Sequence, residues 1–127
     1  MAWTEIDDPI MEQEPAATYG IFTASGTIYK GQGVYLVADN KVKVPTAHNV
    51  YGIGVAAADA SDGEEVAVHS VGTIVKTRIS GTADTYGTAV GVGEYGIWTS
   101  NNTTYKTAVV VEDATAKNGT GYILITG

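Results

Sequence analysis

The sequence contains no cysteine and has few basic residues. Disulfides and thiolate metal sites are therefore excluded. Only 7 Lys and Arg stand against 14 Asp and Glu among 127 residues, which gives a formal net charge of −7. Because phosphates repel an acidic chain and no Lys/Arg stripe offsets that repulsion, we expect no nucleic-acid partner.

Charged residues and long hydrophobic runs are also scarce. Charged residues make up 17 % of the chain, against about 25 % in a typical soluble domain. The polar surface must therefore consist largely of Thr, Ser, Asn and backbone, which favours extensive contact with partners. No apolar run approaches the length of about 20 residues that spans a bilayer. The first residues, MAWTEIDDPIMEQEP, lack the basic and apolar regions of a signal peptide. We therefore expect no membrane association.

Glycine, threonine and valine are abundant and favour strands and tight turns over helices. Apolar and β-branched runs predict strands near 20–44, 50–79, 87–100 and 107–126. The length fits one domain with its own core. We predict a mainly β fold over residues 18–127, as a small antiparallel β-barrel or a two-sheet domain.

One pattern occurs twice in the chain. GIGVAAADASDGEEVAV (52–68) and TAVVVEDATAKNGTGYILI (107–125) each contain an apolar run, an Asp-Ala pair, a glycine-containing turn and a second apolar run. Upstream of each, GVYLVADNKVKV (33–44) resembles TAVGVGEYGIWTS (88–100). The repetition predicts two similar β-modules that share one core, since neither could bury its apolar face alone. Chance similarity between two hairpins is the alternative.

Residues 1–17 read as a flexible acidic arm. Two prolines lie in this segment and no regular period is visible. A purely solvated tail would rarely carry large hydrophobic residues. We therefore interpret the arm as a segment that becomes ordered on a partner; a frayed terminus is the alternative. Its acidic residues are Glu5, Asp7, Asp8, Glu12 and Glu14, and its hydrophobic candidates for contact are Trp3, Ile6, Ile10 and Met11.

The motifs that could indicate catalysis, cofactor binding or metal binding match their known patterns poorly. GVGEYG (91–96) fits the dinucleotide-binding glycine pattern, but a strand and turn follow it where a helix is needed. The acidic turn ADASDGEE (58–65) does not fit a calcium-binding loop and is interpreted as solvated. His48 and His69 are a weak metal signal without a nearby third ligand. By alternation, His69 is expected to face solvent or an interface. We expect no catalytic residue, cofactor or metal, and no enzyme activity.

Tyrosine dominates the aromatic residues, with 8 Tyr against 2 Trp and 1 Phe. Tyrosine has one apolar and one polar end, which is typical of interfaces. A sugar-binding platform would use the same residues. That alternative predicts Trp98 or Tyr95 exposed in a groove of saccharide size.

Three stretches of the chain resemble the capsid cement, or head decoration, proteins of tailed phages. They are GQGVYLVADNKV, IGVAAADASDGEEVAVHSVGTI and GTAVGVGEYG. The lambda-type head decoration protein is a more distant likeness. The resemblance covers roughly residues 27–127 and implies no chemistry. It implies a structural virion protein that is made in the host cytoplasm and binds the outer surface of an expanded capsid.

Three further expectations come from the same resemblance. The partner would be the major capsid protein, and the chain would bind as a homotrimer that stabilises the capsid against internal pressure. In lambda-type relatives the N-terminus is an extended arm on the capsid, which the arm of this chain could imitate although the resemblance does not cover residues 1–17. Our hypothesis is that Trp3, Ile6, Ile10 and Met11 bind the capsid. The alternatives are another phage head or tail accessory, such as a head-fibre base, and a carbohydrate-binding β-module.

Overall fold

A computed structural model describes residues 19–81, 85–114 and 116–127. Strands and turns make up this part of the chain, with one short 3₁₀ turn at Glu94–Gly96. The strands are β1 Tyr19–Ala24, β2 Gly33–Ala38, β3 Lys41–Lys43, β4 Gly52–Ala56, β5 Glu65–His69, β6 Ile74–Ile79, β7 Ala89–Val92, β8 Trp98–Thr99, β9 Ala108–Glu112 and β10 Gly119–Ile125.

The strands form two closed five-stranded barrels that follow each other along the chain. The first has the order β1-β3-β2-β4-β5, and β5 pairs with β1 to close it. The second has the order β6-β8-β7-β9-β10, and β10 pairs with β6. In each barrel the first and third strands pair in parallel, and the other described pairs are antiparallel. The prediction of a mainly β fold built from two similar modules is therefore confirmed.

The repeated Asp-Ala pair has the same structural role in both barrels. The backbone N–H of Lys30 donates to Asp59 Oδ1 at 2.8 Å, and that of Tyr86 donates to Asp113 Oδ1 at 2.6 Å. Each aspartate thereby ties the turn between the fourth and fifth strands to the segment before the second strand. The backbone bonds beside it also recur: Gly31 N to Ala56 O, Ala56 N to Gln32 O, Gly87 N to Val110 O and Val110 N to Thr88 O.

Asp59→Ala and Asp113→Ala are each expected to lower the free energy of unfolding by about 1 kcal/mol. Each change removes the acceptor of one backbone N–H in an exposed turn. Urea unfolding measures the effect. Asp39→Ala is the matched control, because Asp39 is an exposed turn aspartate without such a bond among the described residues. Equal losses in all three variants would show that the repeated bonds contribute nothing.

The buried hydrophobic residues fall into two clusters. Ala24, Ile28, Val34, Val42, Ala56, Ala60, Val66 and Val68 fill the first barrel. The second cluster extends from the second barrel to its junction with the first, where Val55 of β4 joins it; its other members are Val75, Ile79, Val90, Val92, Trp98, Ala108, Val110, Ile123 and Ile125. The expectation of one shared core is therefore wrong. A closed barrel surrounds its own inward side chains, so each module has its own core.

Two glycines of the first barrel make room for the second barrel. A Cβ on Gly33 would lie 2.4 Å from Val92 Cγ2 and 2.8 Å from Trp98 Nε1. A Cβ on Gly52 would lie 2.7 Å from Val92 Cγ1. The fully buried ring of Trp98 therefore packs against first-barrel backbone. A side chain at Gly33 would displace Val92 and Trp98, and a side chain at Gly52 would displace Val92.

Polar contacts also join the barrels. The hydroxyl of Thr77, a buried residue of β6, donates to the carbonyl of Gly31 at 2.7 Å. The side-chain amide of Gln32 donates to the carbonyl of Tyr95 at 2.9 Å. Because Thr77 and Gln32 are both buried, these bonds satisfy groups that would otherwise destabilise the junction.

Candidate partner-binding surfaces

The sequence places its candidate capsid-binding residues in the arm. Trp3, Ile6, Ile10 and Met11 lie outside the residues that the structure describes. Their role therefore stays a prediction. The described residues offer three further surfaces, which differ in chemistry.

Large hydrophobic side chains are exposed at many positions of the two barrels, and tyrosine is the most frequent among them. Scattered exposed hydrophobic residues are normal, but neighbouring ones mark contact surfaces. The exposed set is Tyr19, Ile21, Tyr29, Leu36, Val37, Tyr51, Val71, Tyr86, Tyr95, Tyr105 and Val111.

The first surface is the outer side of β1, called here the β1 face. Tyr19 and Ile21 are 59 % and 50 % exposed. They alternate with Phe22 and Ala24, which pack with the first core. The β1 face directly follows the arm along the chain, so a partner bound to the arm could also cover it.

The second surface is a tyrosine pair at the junction of the barrels. The rings of Tyr51 and Tyr105 meet edge to face, with centroids 5.5 Å apart. Asn102 is completely buried and holds both segments. Its side-chain amide donates to Val50 O at 3.0 Å and Val92 O at 2.9 Å, and its Oδ1 accepts from Tyr105 N at 2.9 Å. The hydrogen bonds of Asn102 thus hold the two tyrosines in a fixed position at the surface.

The third surface is a groove of about 200 Å³, called here the Tyr95 groove. His48 from the first barrel and Glu94 from the second meet there, with Nε2 and Oε1 3.4 Å apart. Tyr95 is 46 % exposed, as the carbohydrate alternative predicts. Trp98, the other residue that this alternative names, is fully buried, so Tyr95 is the one that a ligand can reach. Asn101 and Asn118 also line the groove.

The fold is similar to that of a phage head fibre. The crystal structure of the head fiber gp8.5 N base in bacteriophage phi29 matches with a TM-score of 0.64. The match covers 87 % of this chain and 95 % of that chain, at 14 % sequence identity. A similarity at this identity concerns the fold. No protein-family model and no curated protein matches the chain.

The similarity to the head-fibre base concerns the fold, and it does not extend to the surface residues described above. Sequence reasoning missed the β1 face, the tyrosine pair and the His48–Glu94 contact. Alternation in YGIFTA contains the signal for the β1 face, since Tyr19 and Ile21 share one parity. The tyrosine pair and the groove join residues more than 40 positions apart, such as His48 and Glu94, and no local pattern indicates them.

The acidic turn is held by hydrogen bonds to backbone. Asp62 Oδ1 accepts from Gly26 N at 2.8 Å, and Glu64 Oε1 accepts from Ser61 N at 2.6 Å. Each carboxylate therefore has a structural function. Among residues 19–81, 85–114 and 116–127, no group of three or more His, Asp or Glu is placed to hold a metal ion. No helix in this part of the chain is long and apolar enough to cross a membrane.

His69 is buried, so of the two surroundings that the sequence left open, solvent or an interface, solvent is wrong. It pairs across strands with Val55, which packs in the second cluster. The outer side of β5 is therefore covered by the second barrel at this point. The exposed ring of Tyr19 also contacts it edge to face, with centroids 6.2 Å apart. Burial lowers the pKa of His69 below its ordinary value of 6.5.

The depressed pKa of His69 makes stability depend on pH. The unfolded chain binds a proton at His69 more readily than the folded chain does, so stability rises with pH in this range. The stabilising contribution is complete above pH 6.5 and is lost as the pH falls below that value. We expect His69→Gln to lose less stability than the parent chain when urea unfolding is compared at about pH 7.5 and about pH 5.5. His48→Gln is the control; an unchanged pH dependence in His69→Gln would contradict the assignment.

Proposed function

We propose that the chain is a structural protein of a phage head that binds the outer surface of the expanded capsid and stabilises it. One observation supports the proposal of a phage head protein: the tandem-barrel fold is similar to the base of a phage head fibre. Binding to the expanded capsid and its stabilisation are what the sequence resemblance to cement proteins implies. The exposed β1 face next to the arm supplies a surface for such docking.

The closed barrels favour docking through the arm. An open sheet edge can accept a strand from a partner. In both barrels the described strands pair around the full circle, so strand addition has to involve a segment outside them. The arm could add a strand to a capsid sheet, with Trp3, Ile6, Ile10 and Met11 as anchors. Tyr19 and Ile21 would extend that contact onto the first barrel.

The proposed partner is the major capsid protein, and the proposed bound form is a homotrimer on the outside of the virion. Each chain then needs only modest affinity, because linked copies bind together with a high effective concentration. An arm that orders on docking loses conformational entropy, and multivalent binding offsets that loss. The low share of charged residues fits a protein with large covered surfaces. The role requires no catalytic group.

Heat-induced DNA release from phage heads tests stabilisation. Heads of the source phage that lack the protein are heated with and without the full chain, and a dye reports free DNA. We expect the full chain to raise the release temperature. Deletion of residues 1–17 and the double variant Tyr19→Ser/Ile21→Ser should reduce the shift. Tyr86→Ser is the matched control, because Tyr86 is 75 % exposed but belongs to the second barrel. An unchanged release temperature with the full chain bound would overturn the stabilising role.

A head-fibre base is the second candidate function, and the fold similarity favours it specifically. The base of a fibre attaches the projecting fibre to the head, and this role does not require that it stabilise the capsid. Binding to heads without a change in DNA-release temperature would support this candidate over the cement role.

A further inference from the structure

We propose that the Tyr95 groove binds a single ring of a neutral saccharide. The groove lies where the two barrels meet, since His48 belongs to the first barrel and Glu94, Tyr95 and Asn101 to the second. The proposal is independent of capsid docking, because its residues differ from those of the arm and the β1 face.

The backbone at Tyr95 is held in an unfavourable conformation. Its φ is +62°, in the left-handed region that large side chains rarely adopt. Its equivalent in the first barrel by strand register, Asp39, does not have a positive φ; the left-handed residue of that turn is Asn40, with φ +59°. The first barrel pins the Tyr95 backbone on both sides: Tyr95 N donates to Pro45 O at 3.1 Å, and Tyr95 O accepts from Gln32 Nε2 at 2.9 Å.

A second left-handed residue lines the same groove. Asn118 has φ +57°, and the equivalent turn of the first barrel carries Gly63 with φ +86°. Among the described residues, the non-glycine residues with positive φ are Asn40, Tyr95 and Asn118. Two of these three therefore meet in one groove. Strained residues persist where the surrounding structure holds them and gather at binding sites. The second barrel thus carries a tyrosine and an asparagine at two left-handed positions of this groove.

The side chains at the groove match the chemistry of a sugar. Tyrosine offers an apolar ring face together with a polar hydroxyl, which suits the C–H face and the hydroxyls of a sugar ring. The Glu94 carboxylate accepts hydrogen bonds, and the amide of Asn101 both accepts and donates them. His48 and Glu94 are exposed by 45 % and 46 %, so a ligand can reach the contact between them.

Size and charge narrow the ligand class. A groove of about 200 Å³ is smaller than the roughly 300–1,000 Å³ of pockets that enclose drug-sized molecules. One sugar ring fits this size, whereas a dinucleotide does not. The Glu94 carboxylate and the net charge of −7 disfavour anionic ligands such as sugar phosphates. Among neutral ligands, we take a hexose or N-acetylhexosamine unit as the class that matches both the size of the groove and its tyrosine, carboxylate and amide groups.

Saturation-transfer difference NMR on the full chain tests the site without phage heads. The probes are the methyl glycosides of glucose, galactose, mannose and N-acetylglucosamine. We expect saturation transfer to at least one probe, and binding weakened by at least about tenfold in Tyr95→Asn. Asparagine tolerates the left-handed backbone that this position requires, so the turn is kept. Glu94→Gln should also weaken binding.

Tyr86→Ala is the matched control, because it removes an exposed tyrosine away from the groove and should leave binding unchanged. Three results would overturn the proposal: no transfer to any probe, undiminished binding in Tyr95→Asn, or an equal loss in Tyr86→Ala. Since no capsid is present, each of these results is distinguishable from a failure of the head-binding function.

Discussion

Trp98→Ala is expected to lower the free energy of unfolding by about 3–5 kcal/mol. The indole is fully buried in the second cluster and packs against the first barrel at Gly33. Its removal leaves a cavity at the junction, where backbone glycines cannot fill the space. Urea unfolding followed by circular dichroism measures the loss.

Trp98→Phe separates the contribution of ring packing to stability from that of the buried indole N–H. Trp98 Nε1 is buried without a hydrogen-bond partner in the described structure. Phenylalanine removes that unsatisfied donor and keeps most of the ring, so we expect a smaller loss than for alanine. A loss below about 1 kcal/mol for Trp98→Ala would contradict the claim that this residue joins the barrels.

Gly54→Ala is the second change with a large expected effect, about 3 kcal/mol of unfolding free energy. A Cβ on Gly54 would lie 1.9 Å from the carbonyl oxygen of His69 on the neighbouring strand. That oxygen is backbone, so it can move only if β4 and β5 separate. Thermal or urea unfolding detects the change.

Gly20→Ala is the matched control for Gly54→Ala. Gly20 is also a strand glycine of the first barrel, but its Cβ would meet only the ring of Phe22, at 3.1 Å. A side chain can rotate away where a carbonyl cannot. We expect a loss below about 1 kcal/mol for this control. Equal losses in the two variants would show that the close approach at Gly54 does not limit the fold.

The module repeat could be predicted from sequence because it depends on local signals. The Asp-Ala turn and its flanking apolar runs occur twice in the same order and with nearly the same internal spacing. Asp59 and Asp113 accept equivalent hydrogen bonds from backbone N–H groups. Strand type followed from β-branched runs and glycine turns. The closure of each module into its own barrel could not be predicted from the sequence. Closure depends on pairing of the first and fifth strands, which are about 40–50 residues apart in each barrel.

The contacts between the barrels could not be predicted for a related reason. Trp98 follows a glycine-rich turn and resembles an exposed platform residue in sequence, but Gly33 and Gly52 create the space that buries it. His69 has the parity of an outward residue, yet the outer side of β5 faces the second barrel. Alternation separates the two faces of a strand and does not show what covers the outer one.

The two copies differ where binding is proposed. The turn positions that Asp39 and Gly63 occupy in the first barrel hold Tyr95 and Asn118 in the second, and those two residues line one groove. The first barrel supplies β1 and the chain that leads into it from the arm. Under the two proposals above, the chain attaches to a phage head through its first barrel and presents a saccharide site at the junction with its second.

Cosedimentation with phage heads tests the central claim most directly. The purified full chain and a copy lacking residues 1–17 are each mixed with expanded and with unexpanded heads of the source phage, and the pelleted protein is titrated to saturation. We predict saturable binding of the full chain to expanded heads alone, weakened by the deletion. Absence of binding to both head forms would contradict the account of the chain as a capsid-binding protein.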